Sequence, residues 1–186
     1  MGTTGLILLG AGMMLALVLL VLRLVGFCAQ KPADYATDTP PLDLREHLRG
    51  AIRCEGVIYG PLGRVASRFD AEFEGDWDGN RGTVSEHFRY DSGTRQDREW
   101  RLEIGDDGAI RAEADDLVGP GSGQQAGAAA RLNYRIRLPQ EAGGHVLSVT
   151  DWMYLTPEGV IVNRSQFRKF GIKVAELVAT MRKVDA

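Results

Sequence analysis

From Val65 to Trp77 the chain alternates between two kinds of position. Val65, Ser67, Phe69, Ala71, Phe73, Gly75 and Trp77 fall on one face, and Ala66, Arg68, Asp70, Glu72, Glu74 and Asp76 on the other. A period of two with one apolar and one charged face describes a strand that is buried on one side and wet on the other. Arg131–Leu138 repeats the pattern, with Leu132, Tyr134, Ile136 and Leu138 set against Arg131, Asn133, Arg135 and Arg137. Further strands are predicted over Ile52–Tyr59, Thr83–Tyr90, Arg95–Ile104, Ala109–Asp116, His145–Leu155 and Val160–Phe167. Asp91-Ser92-Gly93, Asp106-Asp107-Gly108 and Pro157-Glu158-Gly159 each carry Gly third, where a three-residue hairpin takes a left-handed residue. Eight or nine strands joined this way make an antiparallel meander, and closing it into a barrel removes the exposed edges. The predicted fold class is all-β, a barrel preceded by one helix.

That helix is Gly2–Leu22, a run without a single charge. At about 1.5 Å per residue it is long enough for a hydrocarbon core of roughly 30 Å. It exceeds the apolar core of a cleavable signal, and Met1–Gly5 holds no basic residue, so it reads as an uncleaved anchor. The organisation expected is a transmembrane anchor over 2–24, a proline-containing linker over 25–41 and a barrel domain over 42–186. Leu42–Arg49 is predicted to make two helical turns, with Leu44 and Leu48 on one face and Gly50 as the stop. The glycine-rich stretch Val118–Ala130 fits either a mobile loop at the barrel mouth or a weak, bulged strand. Ile172–Arg182 fits a helix through Val174, Leu177, Val178 and Met181, or a closing strand through Ala175, Leu177, Ala179 and Met181.

Composition narrows the chemistry. The net charge of −3 offers no basic excess for phosphates, so no nucleic-acid partner is expected. The histidines at 47, 87 and 145 are far apart, which argues against a metal site. No Walker sequence, dinucleotide fingerprint or Ser–His–Asp order is present, and no cofactor is implied. Cys54 shares a face with Ile52 and Ile58 and reads as a small buried hydrophobe. Cys28 lies beside the membrane, and Phe27 stands where a lipid-modified cysteine would have a small residue. Arg23 and Lys31 follow the anchor, and the positive-inside rule would keep that side in the cytoplasm, though two charges are a weak signal.

Charges on the inward faces are the candidate site. If Tyr90 pairs with Thr94, Glu86 faces Arg98 and Val84 faces Trp100. If Gly105 pairs with Ala109, Arg98 also faces Asp116, which completes an acid–base–acid layer inside the barrel. Asp151 is a second inward acid, among Leu147, Val149, Met153 and Leu155. A three-residue loop at 157–159 sets Ser165 opposite Asp151, Asn163 opposite Met153 and Arg164 over Trp152. A four-residue loop sets Arg164 against Asp151 instead. The candidate ligand-binding set is Glu86, Arg98, Trp100, Asp116, Tyr134, Asp151, Asn163 and Arg164. The competing readings are a buried ion network that only closes the barrel and a catalytic carboxylate tuned by Arg98. Small inward residues at Gly56, Ala71, Gly75, Ala112 and Ala114 suggest unfilled volume. They predict an elongated apolar pocket of about 300–1,000 Å³ with a polar end suited to a carboxylate.

Several stretches carry a family likeness: Gly75-Asp76-Trp77-Asp78-Gly79, Ala114-Asp115-Asp116-Leu117-Val118-Gly119, Asp151-Trp152-Met153-Tyr154-Leu155, Asn163-Arg164 and Lys169-Phe170-Gly171. In order and spacing they resemble a bacterial envelope family known as domain of unknown function 3833, over roughly Ala33 to Arg182. The resemblance implies a lipocalin-like fold, envelope attachment and a strand for Ile172–Arg182, and it implies no particular reaction. The expectation is a single-pass inner-membrane protein with its barrel on the periplasmic side. Its expected ligand is a hydrophobic small molecule, a lipid or a fatty-acyl group. The alternatives are an enzyme acting on a lipid-like substrate through buried carboxylates and a non-catalytic interaction module with a filled barrel.

Overall fold

A computed structural model describes residues 2–184, so the last two residues of the domain expected over 42–186 lie outside the described residues. Helix α1 spans Thr3–Val25 and is exposed along its apolar length. It is the one helix among the described residues long and apolar enough to cross a membrane. A short 3-10 turn, Pro32–Tyr35, precedes α2 at Leu44–His47. Ten strands follow: β1 Gly50–Tyr59, β2 Val65–Asp78, β3 Arg81–Tyr90, β4 Arg95–Ile104, β5 Ala109–Glu113, β6 Gly121–Ala126, β7 Ala129–Arg137, β8 Val146–Leu155, β9 Ile161–Lys169 and β10 Ile172–Lys183. Each pairs antiparallel with the next, and β1 pairs with β10 from Ile52↔Lys183 to Tyr59↔Glu176, which closes the barrel.

The count of ten corrects the expected eight or nine. The glycine-rich stretch is not a mobile loop: it supplies β6 and the start of β7. A Cβ at Gly123 would stand 2.1 Å from the Arg131 carbonyl oxygen, so glycine is what lets these two strands approach. Ile172–Lys183 takes the strand alternative, because β1 needs a partner to leave no edge. The helix predicted over Leu42–Arg49 is a single turn, capped by the Asp43 carboxylate accepting from the Arg45 N–H.

That turn plugs one end of the barrel. Leu42, Leu44 and Leu48 are buried in the core, and Trp77 Nε1 donates to the Leu48 carbonyl at 3.0 Å. A Cβ at Gly75 would lie 1.7 Å from that same carbonyl oxygen. A Cβ at Gly56 would meet the Phe69 ring at 2.7 Å. The small inward residues at these two places mark close approach of a neighbour, not unfilled space, and the expectation of volume drawn from them fails for that reason.

Residues 27–36 lie against the outside of the wall, within the segment expected as a linker. Tyr35 sets its ring edge to Trp152 and Tyr154, with centroids 5.6 and 5.4 Å away, and Trp152 is fully buried. The Gln30 carbonyl accepts from Arg131 at 3.1 Å, and the Tyr154 hydroxyl donates to the Gln30 side chain at 3.0 Å. The physical reason lies in Trp152-Met153-Tyr154-Leu155, which is apolar on both faces and therefore needs cover outside as well as inside.

Gly75→Ala should force the Leu48 carbonyl away and lower stability by about 1–3 kcal/mol, as overpacking does. Urea melts of the full chain in mild detergent measure this. An unchanged midpoint would mean that α2 does not seat on β2.

Candidate functional site

Two hairpins bring the charged layer together. β3 and β4 pair in the predicted register, with Glu86 opposite Arg98 and Val84 opposite Trp100. β5 ends at Glu113, before Asp116, yet Asp116 still reaches Arg98. Its backbone is held by β7 instead: the Arg137 N–H donates to the Asp116 carbonyl at 2.8 Å. Arg98 Nε lies 3.0 Å from Asp116 Oδ2 and Nη2 donates to Oδ1 at 3.1 Å, while Nη1 stands 4.0 Å from Glu86 Oε2. The guanidinium also sits 4.0 Å over the Trp100 ring and 5.7 Å from that of Tyr134, two rings that meet edge to face.

A second cluster forms across β8 and β9 in the three-residue-loop register, Asp151↔Ser165 and Met153↔Asn163. Ser165 Oγ donates to Asp151 at 2.8 Å, and Asn163 Nδ2 donates to the same carboxylate and to the Trp152 carbonyl. The structure therefore gathers Glu86, Arg98, Trp100, Asp116, Tyr134, Asp151 and Asn163 inside the barrel. Arg164 is the exception among the predicted residues. It pairs with Trp152 in register but points outward, where it ion-pairs with Glu176 at 2.6 Å and covers the Phe27 ring at 4.9 Å. The cation over Trp152 is Arg131, at 5.7 Å. Ser165, set opposite Asp151 in one of the two loop registers, lies outside the predicted ligand-binding set yet is a partner of that acid.

The electrostatics are acid-rich. Arg98 faces Glu86 and Asp116, and Asp151 is close enough to raise the Glu86 carboxyl further. Burial opposes the charge on Arg98, but Tyr134, Glu86 and Asp116 hold it protonated above its ordinary range. Burial pushes the Glu86 carboxyl up to about 7, with Arg98 only partly pulling it back. Asp151 is raised by burial too, against the bonds from Ser165 and Asn163. Burial likewise raises the Tyr134 hydroxyl. Glu86 Oε2 is buried without a hydrogen-bond partner. Arg98 spends its Nε and Nη2 on Asp116, while its Nη1 makes no hydrogen bond and stands beside Glu86 Oε2, so the polar end presents one guanidinium edge and one carboxylate oxygen that accepts no hydrogen bond.

The space beside this layer is small. An interior cavity of about 60 Å³ is lined by Glu86, Asp151 and Asn163 together with Leu44, Leu48, Met153 and Met181. The expected pocket was several times larger. A wider hollow of about 370 Å³ lies outside, on β2–β5, among Asp76, Arg81, Arg101 and Glu113. Its charges already serve one another, as in Arg81–Glu103 and Arg111–Glu113, so it makes the weaker site. Cys54 is buried, with its thiol pushed up to about 12 by burial, and so is no nucleophile. Among the described residues, no group of three His, Cys, Asp or Glu side chains is placed to hold a metal ion.

The closed antiparallel barrel has a lipocalin-like fold. The S-type phycobiliprotein lyase CPES from Guillardia theta shares the fold, with a TM-score of 0.54 over 77% of this chain and 92% of that one, at 6% identity. A redesigned β-barrel, mFAP1, solved bound to DFHBI, is more distant: TM-score 0.42, 8% identity, 75% of this chain and 97% of that one. The chain belongs to the family described as Protein of unknown function (DUF3833), which matches residues 21–183. No curated protein matches the sequence.

Arg98→Ala should cost about 3–5 kcal/mol, because it strands buried carboxylates. A loss below about 1 kcal/mol, the range of exposed pairs, would mean that Arg98 does not carry them. The pH dependence has a definite sign. Glu86 titrates near 4.5 unfolded and about 7 folded, so its contribution is intact below 4.5 and lost as pH rises through 7. Glu86→Gln should therefore gain stability relative to the parent between pH 4.5 and 7. A pH-independent difference would show that the carboxyl is not buried as described.

Proposed function

We propose that this is a single-pass inner-membrane protein of the bacterial envelope whose barrel, on the periplasmic side, binds a small, mainly apolar molecule. The observation that carries the reading is the buried Glu86 Oε2, without a partner beside an interior cavity. An unpaired buried acceptor costs about 1–3 kcal/mol, which a ligand donor would remove. A hydroxyl or amine head group suits this acid-rich wall, and the apolar part would pack against Met153, Met181 and Leu44. An acyl chain is longer than the cavity allows. It would enter only by moving the methionines, which are flexible, or the single-turn α2 plug. The fold shared with a phycobiliprotein lyase supports the barrel as a scaffold and says nothing of the ligand here. A second reading, a filled barrel that contacts other proteins, is favoured by the cavity volume of about 60 Å³.

Native mass spectrometry of the full chain, extracted in mild detergent from its own host, tests the first reading. The expected result is a retained small molecule, released or held at least tenfold more weakly by Glu86→Ala. No adduct, together with no thermal shift from a panel of long-chain alcohols, amines and monoacylglycerols, would leave the filled-barrel reading standing. Intact mass of the membrane fraction tests the anchor. An unprocessed chain is expected, and a chain beginning at an acylated Cys28 would overturn the anchor reading.

A further inference from the structure

Apart from α1 and Val184 near the chain's end, every exposed large apolar side chain among the described residues falls on two hairpin tips. Leu62 is 92% exposed and Val65 57% at the β1–β2 tip, and Phe170 is 93% exposed and Ile172 70% at the β9–β10 tip. Because β10 pairs with β1, the two tips are neighbours on one rim. They lie at the end of the barrel opposite the α2 plug. Of the other connections on that rim, Asp91-Ser92-Gly93 and Pro139–Gly144 are polar or small, and the β5–β6 loop keeps its Leu117 and Val118 half-buried.

The anchor leaves the barrel at the same place. Phe27 lies under Arg164, and Cys28 Sγ is 2.9 Å from Nη1 of Arg168, which lies near the end of β9 and two residues before Phe170. Phe170 itself sits at φ 51°, in the left-handed region, followed by Gly171 at φ 80°. A two-residue turn of this kind favours Asn-Gly, and a bulky aromatic there is conformationally disfavoured. Its ring adds nothing to the core. Basic side chains flank both tips: Arg64 at one, Lys169 and Lys173 at the other. Lys173 pairs with Glu176, whereas Arg64 and Lys169 have no carboxylate partner among the described residues; Lys169 meets His145 at 2.9 Å.

We infer that these two tips dip into the interfacial layer of the bilayer that α1 spans, with Leu62, Val65, Phe170 and Ile172 among the acyl chains and Arg64 and Lys169 at the phosphates. Apolar tips carrying basic neighbours match both layers of a lipid surface, and long basic side chains can lie along the apolar part while keeping their charge at the head groups. The net charge of −3 means that this attraction is local to the rim and not a property of the whole chain. Seated this way, the unplugged end, ringed by the half-buried Phe88, Tyr90 and Phe167, opens toward lipid. The inference rests on reading α1 as an uncleaved anchor.

The test uses the full chain in nanodiscs of phosphatidylcholine and phosphatidylglycerol with brominated acyl chains. A tryptophan is added at one position at a time: Phe170→Trp, Leu62→Trp, Leu20→Trp in α1, and Glu158→Trp at the plugged end. Quenching is read against the parent, whose own tryptophans at 77, 100 and 152 are buried. Bromine should quench the added fluorescence at 170, 62 and 20 but not at 158. Quenching at 20 with none at 170 or 62 would overturn the docked rim while sparing the anchor, and would leave the tips open to a protein partner. Absence of quenching at 20 would remove the anchor reading and this inference with it.

Discussion

The pairing of β1 with β10 is the constraint on which everything else depends. Once the meander closes, each strand must send every second side chain into a shared interior. A charge on an inward position then has no route to water and must find its partner among the other strands. Arg98 finds Asp116 across β4 and the segment after β5, and lies between that acid and Glu86. The register that aligns them is set by turns far from the layer itself. A one-residue slip at Asp91-Ser92-Gly93 would send Glu86 outside and leave Arg98 facing the wall.

Closure also explains why the two ends differ. The chain enters the barrel fold from the anchor side and travels down the outside of β9, β8 and β7 before Leu42 reaches the far end. There the Leu42 N–H donates to the Gly127 carbonyl, and α2 turns inward as a plug. The plug is held by one indole hydrogen bond, a glycine that permits contact and three leucines. Among the described residues nothing comparable covers the other rim, so the interior is sealed at one end by a short helical turn and bounded at the other by aromatic side chains.

Much of the strand pattern was legible because alternation is a local signal. The β3–β4 register followed from a three-residue turn with glycine third, and with it the partner of Glu86, whereas the sequence left two registers open for β8–β9 and the structure takes the three-residue one. The glycine-rich β6 was harder, because a strand without side chains has no alternation to read; its place depends on how near Arg131 can come. The outward turn of Arg164 depends on Glu176 and Phe27, which are distant in sequence. Volume was the least legible quantity. Gly56 and Gly75 looked like gaps when each strand was considered alone, and became contacts once Phe69 and Leu48 were in place.

The interior is well filled and mainly apolar yet holds a charged layer, and the two facts pull against each other. A barrel selected only for stability gains little from a buried ion network, since apolar residues of similar volume commonly serve as well or better. Here the network is not even complete, because Glu86 Oε2 is left without a hydrogen-bond partner and two carboxyls share one guanidinium. Asp151, by contrast, is fully supported by Ser165 and Asn163, which fixes its position beside the same cavity. One held acid and one unsatisfied acid facing a common space form an arrangement suited to receiving a donor. The cavity of about 60 Å³ then sets the scale of what enters without rearrangement: a head group, while the remainder of any longer molecule must wait on movement of Met153, Met181 or the plug.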